Sequence, residues 1–414
     1  MSITQAENER IARVSPGTPG GELLRRYWQP VAMVSAVSEE HPTTFVRLLG
    51  EDLVLFRDKS GNVGLLADHC SHRGASLLYG RVEERGISCA YHGWLYDTSG
   101  NCLETPAEPE GSLFHLTVKQ RAYPVEAFGG LYWAYLGPAP VPVLPHYDIL
   151  IRGKIVDIQE VRPIAANWAQ VVENNLDGSH IGILHQEFMG RRQAQGMAVG
   201  GTVTAPPEMD FREVPVGIMR RMVMSDGYVE EDPLLFPNNL RRMNQLVCNV
   251  PVDDTHTMLF YVFVEFEEEQ GNDGHGNGND STTYWELRYE DIFMPADGRE
   301  LHPRYRMDRL RLQDYMVLET QGAISPRGEW RLGTSDKGID FYDHLLLREI
   351  DKVERGEEPI GVIRDPEKAY VDTNLDDLLR VGVRAAVPEG DIVHPRYERW
   401  DAAPENLART SARA

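Results

Sequence analysis

The sequence predicts an α+β protein in two parts, a small all-β domain followed by a larger domain whose helices cover an antiparallel sheet. Three observations carry this expectation. Short β-like runs at 45–49, 53–56, 63–66, 87–89, 94–96 and 131–136 are separated by turn clusters such as Ser60-Gly61-Asn62 and Thr98-Ser99-Gly100-Asn101. Four prolines within residues 137–145 then favour an extended spacer. Beyond it, long strand candidates are flanked by helical periodicity.

Each segment has its own reason. Residues 1–40 form a helical N-terminal segment, in which the amphipathic stretch 21–28 must stop by Pro30, whose ring cannot continue a helix. Residues 41–137 make up the β domain and 138–148 the proline-rich linker. The second domain spans 149–400. It is expected to hold a helix over 168–184, strands at 211–224, 246–252, 258–266 and 284–289, and helices at 309–321 and 341–355. The run EEEQGNDGHGNGNDS at 267–281 has almost nothing to bury and reads as a mobile insertion, with His275 a solvated residue within it. Residues 401–414 form a small polar tail.

Composition narrows the function. The chain is 42% hydrophobic and 26% charged, ordinary values for a globular protein. Sixty-four acids against 42 Lys and Arg give a net charge of −22, which argues against nucleic acid and anionic membranes as partners. No apolar run approaches the ~18 residues of a membrane span, and the first residues, MSITQAENERIARV, carry no secretory pattern, so a cytoplasmic protein is expected. Four cysteines are too few for a disulfide scaffold; in a reducing compartment, Cys and His in pairs point to metal.

Two constellations stand out. The first is Cys70-Ser71-His72 with Cys89-Ala90-Tyr91-His92, sixteen residues apart, each at a strand-to-turn transition and followed by a glycine motif. Two thiolates and two imidazoles suit a two-iron, two-sulfide cluster in which the thiolates hold one iron and neutral histidines the other. A Cys2His2 zinc site uses the same atoms, although zinc modules commonly pair like with like. His69, Cys102 and Cys248 read as bystanders. The second constellation is Asn167-Trp168 followed by Glu173-Asn174-Asn175-Leu176-Asp177-Gly178-Ser179-His180-Ile181-Gly182-Ile183-Leu184-His185. His180 and His185 suit an iron site that needs one more carboxylate, or they are two structural histidines. On one continuous helix they would lie about 140° apart, so the helix must end or distort between them, with Gly182 the natural place.

The pair C-S-H-R-G and C-A-Y-H-G-W resembles the Rieske iron–sulfur domain. The whole pattern resembles the Rieske non-haem iron oxygenases, in particular their phthalate-dioxygenase-like group, from G-T-P-G-G-E-L-L-R-R-Y-W-Q-P through about Asp343. This resemblance implies a Rieske [2Fe-2S] domain at 41–137 and a catalytic domain of helix-grip type, a curved antiparallel sheet around a long helix. It implies that Cys70, His72, Cys89 and His92 hold the cluster and that His180, His185 and Asp314 hold a mononuclear Fe(II), with Asp308 the alternative acid. Asp314 sits in Gln313-Asp314 with Glu319-Thr320-Gln321, which fits the family's stretch around its carboxylate ligand. Asp177 would link His180 to His92 of a neighbouring subunit, in a head-to-tail trimer or stacked trimers.

A terminal oxygenase component follows from the resemblance. It would use O2 and electrons from NAD(P)H supplied by a separate reductase carrying flavin and iron–sulfur, in keeping with the lack of a G-x-G-x-x-G nucleotide motif here. The implied substrate is aromatic, with an aromatic carboxylate favoured; ring hydroxylation, cis-dihydroxylation and oxidative O-demethylation all stay open. Met219, Met222, Met224, Phe260, Tyr261 and Phe263 are candidate cavity residues. Arginines at 191, 192, 212, 220 and 221 are candidate carboxylate forks. Two other readings compete: a Rieske electron-transfer protein fused to a ligand-binding domain, and a non-catalytic binding protein with structural zinc.

Overall fold

The computed structural model describes residues 3–187, 190, 207–223, 229–242, 244–266, 292–294 and 304–373. Two helices open the chain. In α1 (Gln5–Ala12) the Thr4 hydroxyl accepts the Glu7 N–H while the Glu7 carboxylate accepts the Thr4 N–H, a reciprocal cap that satisfies two otherwise orphaned donors. Helix α2 (Pro19–Leu24) starts on Pro19 under a Thr18 cap, two residues earlier than expected, and ends at Leu24 rather than Trp28.

The small domain is built from three antiparallel sheets. Gln29–Met33 pairs with Leu131–Ala134, which pairs with Val125–Phe128. Thr43–Leu48, Glu51–Arg57, Val63–Ala67 and Ala122–Tyr123 form the second sheet. Arg81–Glu83, Gly86–Ser88, Leu95–Tyr96 and Cys102–Glu104 form the third. Val54, Phe56, Leu66, Leu77, Ile87 and Tyr96 pack into one apolar cluster with Cys70, Cys89 and Cys102, so the backs of both Cys/His loops rest on a rigid core.

The proline-rich segment is strapped down along its length. Trp28 Nε1 donates to Pro142 O at 2.9 Å, and Val143 N donates to Ile363 O at 2.8 Å. Then comes α3 (Asp148–Arg152), followed by a seven-stranded antiparallel sheet. Its spatial order is Lys154–Ile164, His256–Glu265, Gln245–Asp253, Asn239–Arg242, Val229–Leu235, Gly217–Val223 and Glu208–Val214. The expected strand over 211–224 is in fact a hairpin, with Pro215 and Val216 in a two-residue turn between Val214 and Gly217. The strands at 154–164, 229–235 and 239–242 are not expected from the sequence; in the last two, buried acids and arginines (Glu230, Asp232, Arg241) pair with partners that the sheet and α3 bring to them. The expected strand at 284–289, the insertion at 267–281 and the tail lie outside the described residues.

Four helices cover one face of this sheet: α4 (Trp168–Leu176), α5 (Ser179–Leu184), α6 (Leu310–Thr320) and α7 (Lys337–Glu354). The single helix expected over 168–184 is therefore two. The third strand in this order, Gln245–Asp253, is buried at all seven positions from Leu246 to Val252, helices on one side and the small domain on the other. One apolar core accordingly runs through both parts, from Leu23, Leu48 and Trp133 to Trp168, Val250 and Tyr342. No helix among the described residues is long and apolar enough to cross a membrane.

Candidate metal centres

The two loops of the small domain are copies of one local device. Cys70 N donates to Ala75 O at 2.9 Å and Gly74 N to Cys70 O at 2.8 Å; Cys89 N donates to Trp94 O and Gly93 N to Cys89 O, both at 2.9 Å. Gly74 and Gly93 have φ of 75° and 74°, which glycine adopts at little cost. Gln120 braces the first loop: its Oε1 accepts the Ser71 N–H at 2.8 Å, and its Nε2 donates to Ala67 O and His69 O.

Within this frame the thiols point inward and the imidazoles outward. Cys70 and Cys89 are buried, and His72 and His92 meet edge to face at the surface with ring centroids 4.6 Å apart. Trp94 stacks flat on His72 at 4.2 Å, and Tyr91 leans on His92 at 3.8 Å. The Tyr96 hydroxyl lies 3.2 Å from Cys70 Sγ and 3.0 Å from Ser71 Oγ. Burial pushes the Tyr96 phenol up, and its bond to Cys70 adds to this, so it keeps its proton. Among the described residues the four donors do not converge on one point, which a single zinc ion would require; thiols on one side and imidazoles on the other fit a two-iron cluster. His69 is exposed, with Nδ1 3.1 Å from Gly74 O, while Cys102 and Cys248 are buried in apolar surroundings.

The second centre depends on where a helix breaks. Helix α4 starts on Asn167, whose side-chain Oδ1 accepts the Ala169 N–H while its Nδ2 donates to Ala12 O and Asp254 O. It stops at Asp177, which is extended (φ −77°, ψ 112°), and α5 restarts after Gly178. Here the chain passes against the sheet: a Cβ on Gly178 would stand 2.6 Å from Met209 Sδ and 2.7 Å from Met222 Sδ. Gly182, the expected break point, lies inside α5, and His185 sits one residue past its end. Asp177 thus closes α4, and His180 belongs to α5.

This geometry brings both histidines to α6. His185 Nε2 is 3.1 Å and His180 Nε2 3.8 Å from Asp314 Oδ1, and one ligand atom from each of the three residues lies within 4.8 Å of the others. Asp314 Oδ1 is buried with no hydrogen-bond partner. An orphaned carboxylate oxygen costs roughly 1–3 kcal/mol or more, and two neutral imidazoles with one carboxylate suit a divalent iron that relieves it. Asp308 lies elsewhere, half exposed and paired with Arg306 at 2.8 Å.

Two of these ligand candidates are backed from behind. Asp177 Oδ1 accepts the Ser179 N–H at 2.7 Å, while its Oδ2 stands 3.4 Å from His180 Nδ1, the outer limit of hydrogen bonding. Burial alone would raise this carboxyl, but His180 and the backbone N–H groups outweigh it and hold it low. His185 Nδ1 is 2.7 Å from Gln313 Oε1.

The helix-facing side of the sheet sorts the remaining candidates. Strand register puts Met222, Tyr261 and Phe263 on this side, Met219 and Phe260 on the other; Met224 lies outside the described residues. Tyr261 carries the Arg311 guanidinium 4.0 Å above its ring. Arg220 is buried and held by Glu230 at 2.6 Å, by Asp232, and by Asn175 O at 3.0 Å. Arg221 stands 3.6 Å from Glu231, and residues 191 and 192 lie outside the described residues. Arg242 is not among the arginines expected from the sequence, because the Arg241-Arg242 pair in a short strand does not show which of the two faces the helices. It stands 3.3 Å from Glu230, keeps 38% of its side chain open, and lies close enough to Asp314 for their charges to act on each other.

Comparison with known proteins shows the family. The Rieske [2Fe-2S] domain family matches residues 27–124. The 5,5'-dehydrodivanillate O-demethylase oxygenase subunit of Sphingobium sp. (strain NBRC 103272 / SYK-6) is 36% identical over 88% of this chain and 84% of its own. The phenoxybenzoate dioxygenase subunit alpha of Ectopseudomonas oleovorans is 36% identical over 85% of this chain and 87% of its own. Among solved structures, the Pseudomonas putida CBB5 NdmA QL mutant with theobromine shares the fold, with a TM-score of 0.59 and 24% identity over 81% of this chain and 93% of that one.

Proposed function

We propose, because this chain belongs to the Rieske non-haem iron oxygenases as an oxygenase subunit of their phthalate-dioxygenase-like group, that it holds two metal centres and joins them across neighbouring copies. Cys70, His72, Cys89 and His92 would hold the [2Fe-2S] cluster, and His180, His185 and Asp314 a mononuclear iron. When bound, the cluster passes electrons one at a time and the iron activates dioxygen beside the substrate. The observation that carries the reading is the convergence of His180, His185 and Asp314 within 4.8 Å around an orphaned carboxylate oxygen, in a chain that also carries a Rieske domain.

The chain's own residues then have defined tasks. Trp94 and Tyr91 hold the two surface imidazoles in fixed orientations. Asp177, 3.4 Å from His180 Nδ1, would accept its N–H once the histidine is ligated and, with its outer lone pairs, the N–H of His92 from a second copy, so three copies would close head to tail. The electron donor is a separate reductase carrying flavin and iron–sulfur. The substrate is an aromatic carboxylate, in keeping with the aromatic acids named for two of the relatives. It would lie over Tyr261 with its carboxylate towards Arg242, the open cation near Asp314.

The test is a screen of aromatic acids and methoxy aromatics for substrate-dependent oxygen uptake with a surrogate reductase, followed by product identification. Metal analysis is expected to find about three irons and two sulfides per chain. Two irons and two sulfides would leave an electron carrier, and zinc would overturn both centres.

A further inference from the structure

We propose that Gln313 is a positioning residue of the iron site, one that aims His185 by fixing which of its ring nitrogens carries the proton. This rests on the reading of His180, His185 and Asp314 as iron ligands. The Gln313 side chain is buried and makes two contacts: Nε2 stands 2.8 Å from Met307 O, and Oε1 stands 2.7 Å from His185 Nδ1. A backbone carbonyl only accepts, so the amide must turn its NH2 end to Met307 and its oxygen to the histidine. That oxygen accepts as well, so Nδ1 of His185 bears the proton. In the neutral ring that a metal ligand requires, Nε2 then keeps the lone pair, and it is Nε2 that stands 3.1 Å from Asp314 Oδ1. The imidazole is held as the neutral tautomer whose free nitrogen faces the metal position.

The arrangement couples two ligands through one helix. Gln313 and Asp314 are consecutive in α6, so the turn that supplies the carboxylate also carries the acceptor that orients the second histidine. Helix α6 is itself braced: Glu319 Oε1 accepts the Ala165 N–H at 3.1 Å, and Glu319 Oε2 accepts from the Tyr305 hydroxyl at 2.5 Å. The two ligand histidines also differ in their backing. His180 has a carboxylate behind it, 26% exposed; His185 has a neutral amide, buried. A neutral acceptor orients the ring without adding negative charge to a site that already holds Asp314.

The test measures Fe(II) affinity by chelator competition on the cluster-loaded protein, with the visible cluster spectrum and the melting curve as controls for folding. Gln313→Met keeps the bulk and removes the acceptor, and it is expected to weaken iron binding by roughly 10–100-fold while both controls stay unchanged. Gln313→Glu restores an acceptor for the His185 N–H and is expected to recover affinity to within about threefold of wild type, although it loses the donation to Met307 O. A role in packing alone would not show this rescue. Wild-type affinity in Gln313→Met, or equal weakness in Met and Glu variants, would overturn the inference. His185→Ala separates the two levels of argument: if it loses iron while Gln313→Met does not, only the role of Gln313 falls; if it keeps wild-type affinity, the iron-site reading falls as well.

Discussion

The two metal regions are built by opposite strategies. In the small domain all four proposed ligands lie between Cys70 and His92, on two hairpin tips with matching backbone bonds, and their thiols rest on a local apolar cluster. In the larger domain, Asp314 joins His185 across 129 residues of chain. Its geometry hangs on the break at Asp177–Gly178, on the sheet beneath, and on α6 above. A buried ionic knot ties these parts together. Arg327 pairs with Glu173 of α4 at 2.5 Å and donates to Asn8 Oδ1 of α1 at 2.8 Å, while Gln170 of α4 accepts the Ser325 N–H and donates towards Leu318 O and Gly322 O. A site made by local turns survives distant damage; a site made by packing does not. The cluster should therefore be the robust centre and the iron the fragile one.

The strongest way to break this comparison is to remove ligands. Alanine at His180, His185 or Asp314 is expected to abolish mononuclear iron and oxygenation while the red-brown cluster and its spectrum persist. An Asp314→Ala protein with full iron and turnover would take the acid out of the site.

Next comes the ionic knot. Burial pushes the Asp343 carboxyl well above its usual range, with the charge of Glu173 adding to the effect, and Arg327 is the cation between them. Arg327→Ala leaves buried carboxyls uncompensated and is expected to cost about 3–5 kcal/mol. In urea titrations followed at both centres, iron should be released at lower denaturant than the cluster. Simultaneous loss would show that the two regions do not differ in robustness.

A smaller effect is expected at the proposed bridge. Asp177→Asn keeps the shape but halves the acceptors, so both centres and the trimer should remain while turnover falls roughly 10–100-fold. Stopped-flow absorbance should show normal reduction of the cluster and slowed reoxidation by substrate and oxygen. Reoxidation at the normal rate would place the electron route elsewhere.

The smallest is expected at Tyr96. Its hydroxyl bond to Cys70 Sγ favours the more negative, reduced cluster, so Tyr96→Phe should lower the potential by roughly tens of millivolts with iron content unchanged. Potentiometric titration would read it, and an unmoved midpoint would mean that the hydroxyl serves Ser71 alone.

What the sequence determined by itself is what short-range chemistry dictates. C-x-H and C-x-x-H, each with its glycine, specify both the donors and the turns that present them, so the first centre is legible within 23 residues. The two-part organisation is expected in the same way from turn spacing and the prolines, and the acid proposed for the second centre stands out beside Gln313 through resemblance to a family. The tertiary structure alone decided how that second centre closes. Helical periodicity cannot show that the chain must break at Asp177–Gly178, because the crowding that asks for a glycine comes from Met209 and Met222, two strands away in sequence. It cannot show that Arg220 is enclosed between Glu230 and Asp232 while Arg242, beside the same Glu230, keeps 38% of its side chain exposed, since strand register sets these partners. Nor can it show that Gln313 backs His185, a contact spanning 128 residues. Local turns are encoded by the residues that make them; a packed site is encoded by every surface it touches.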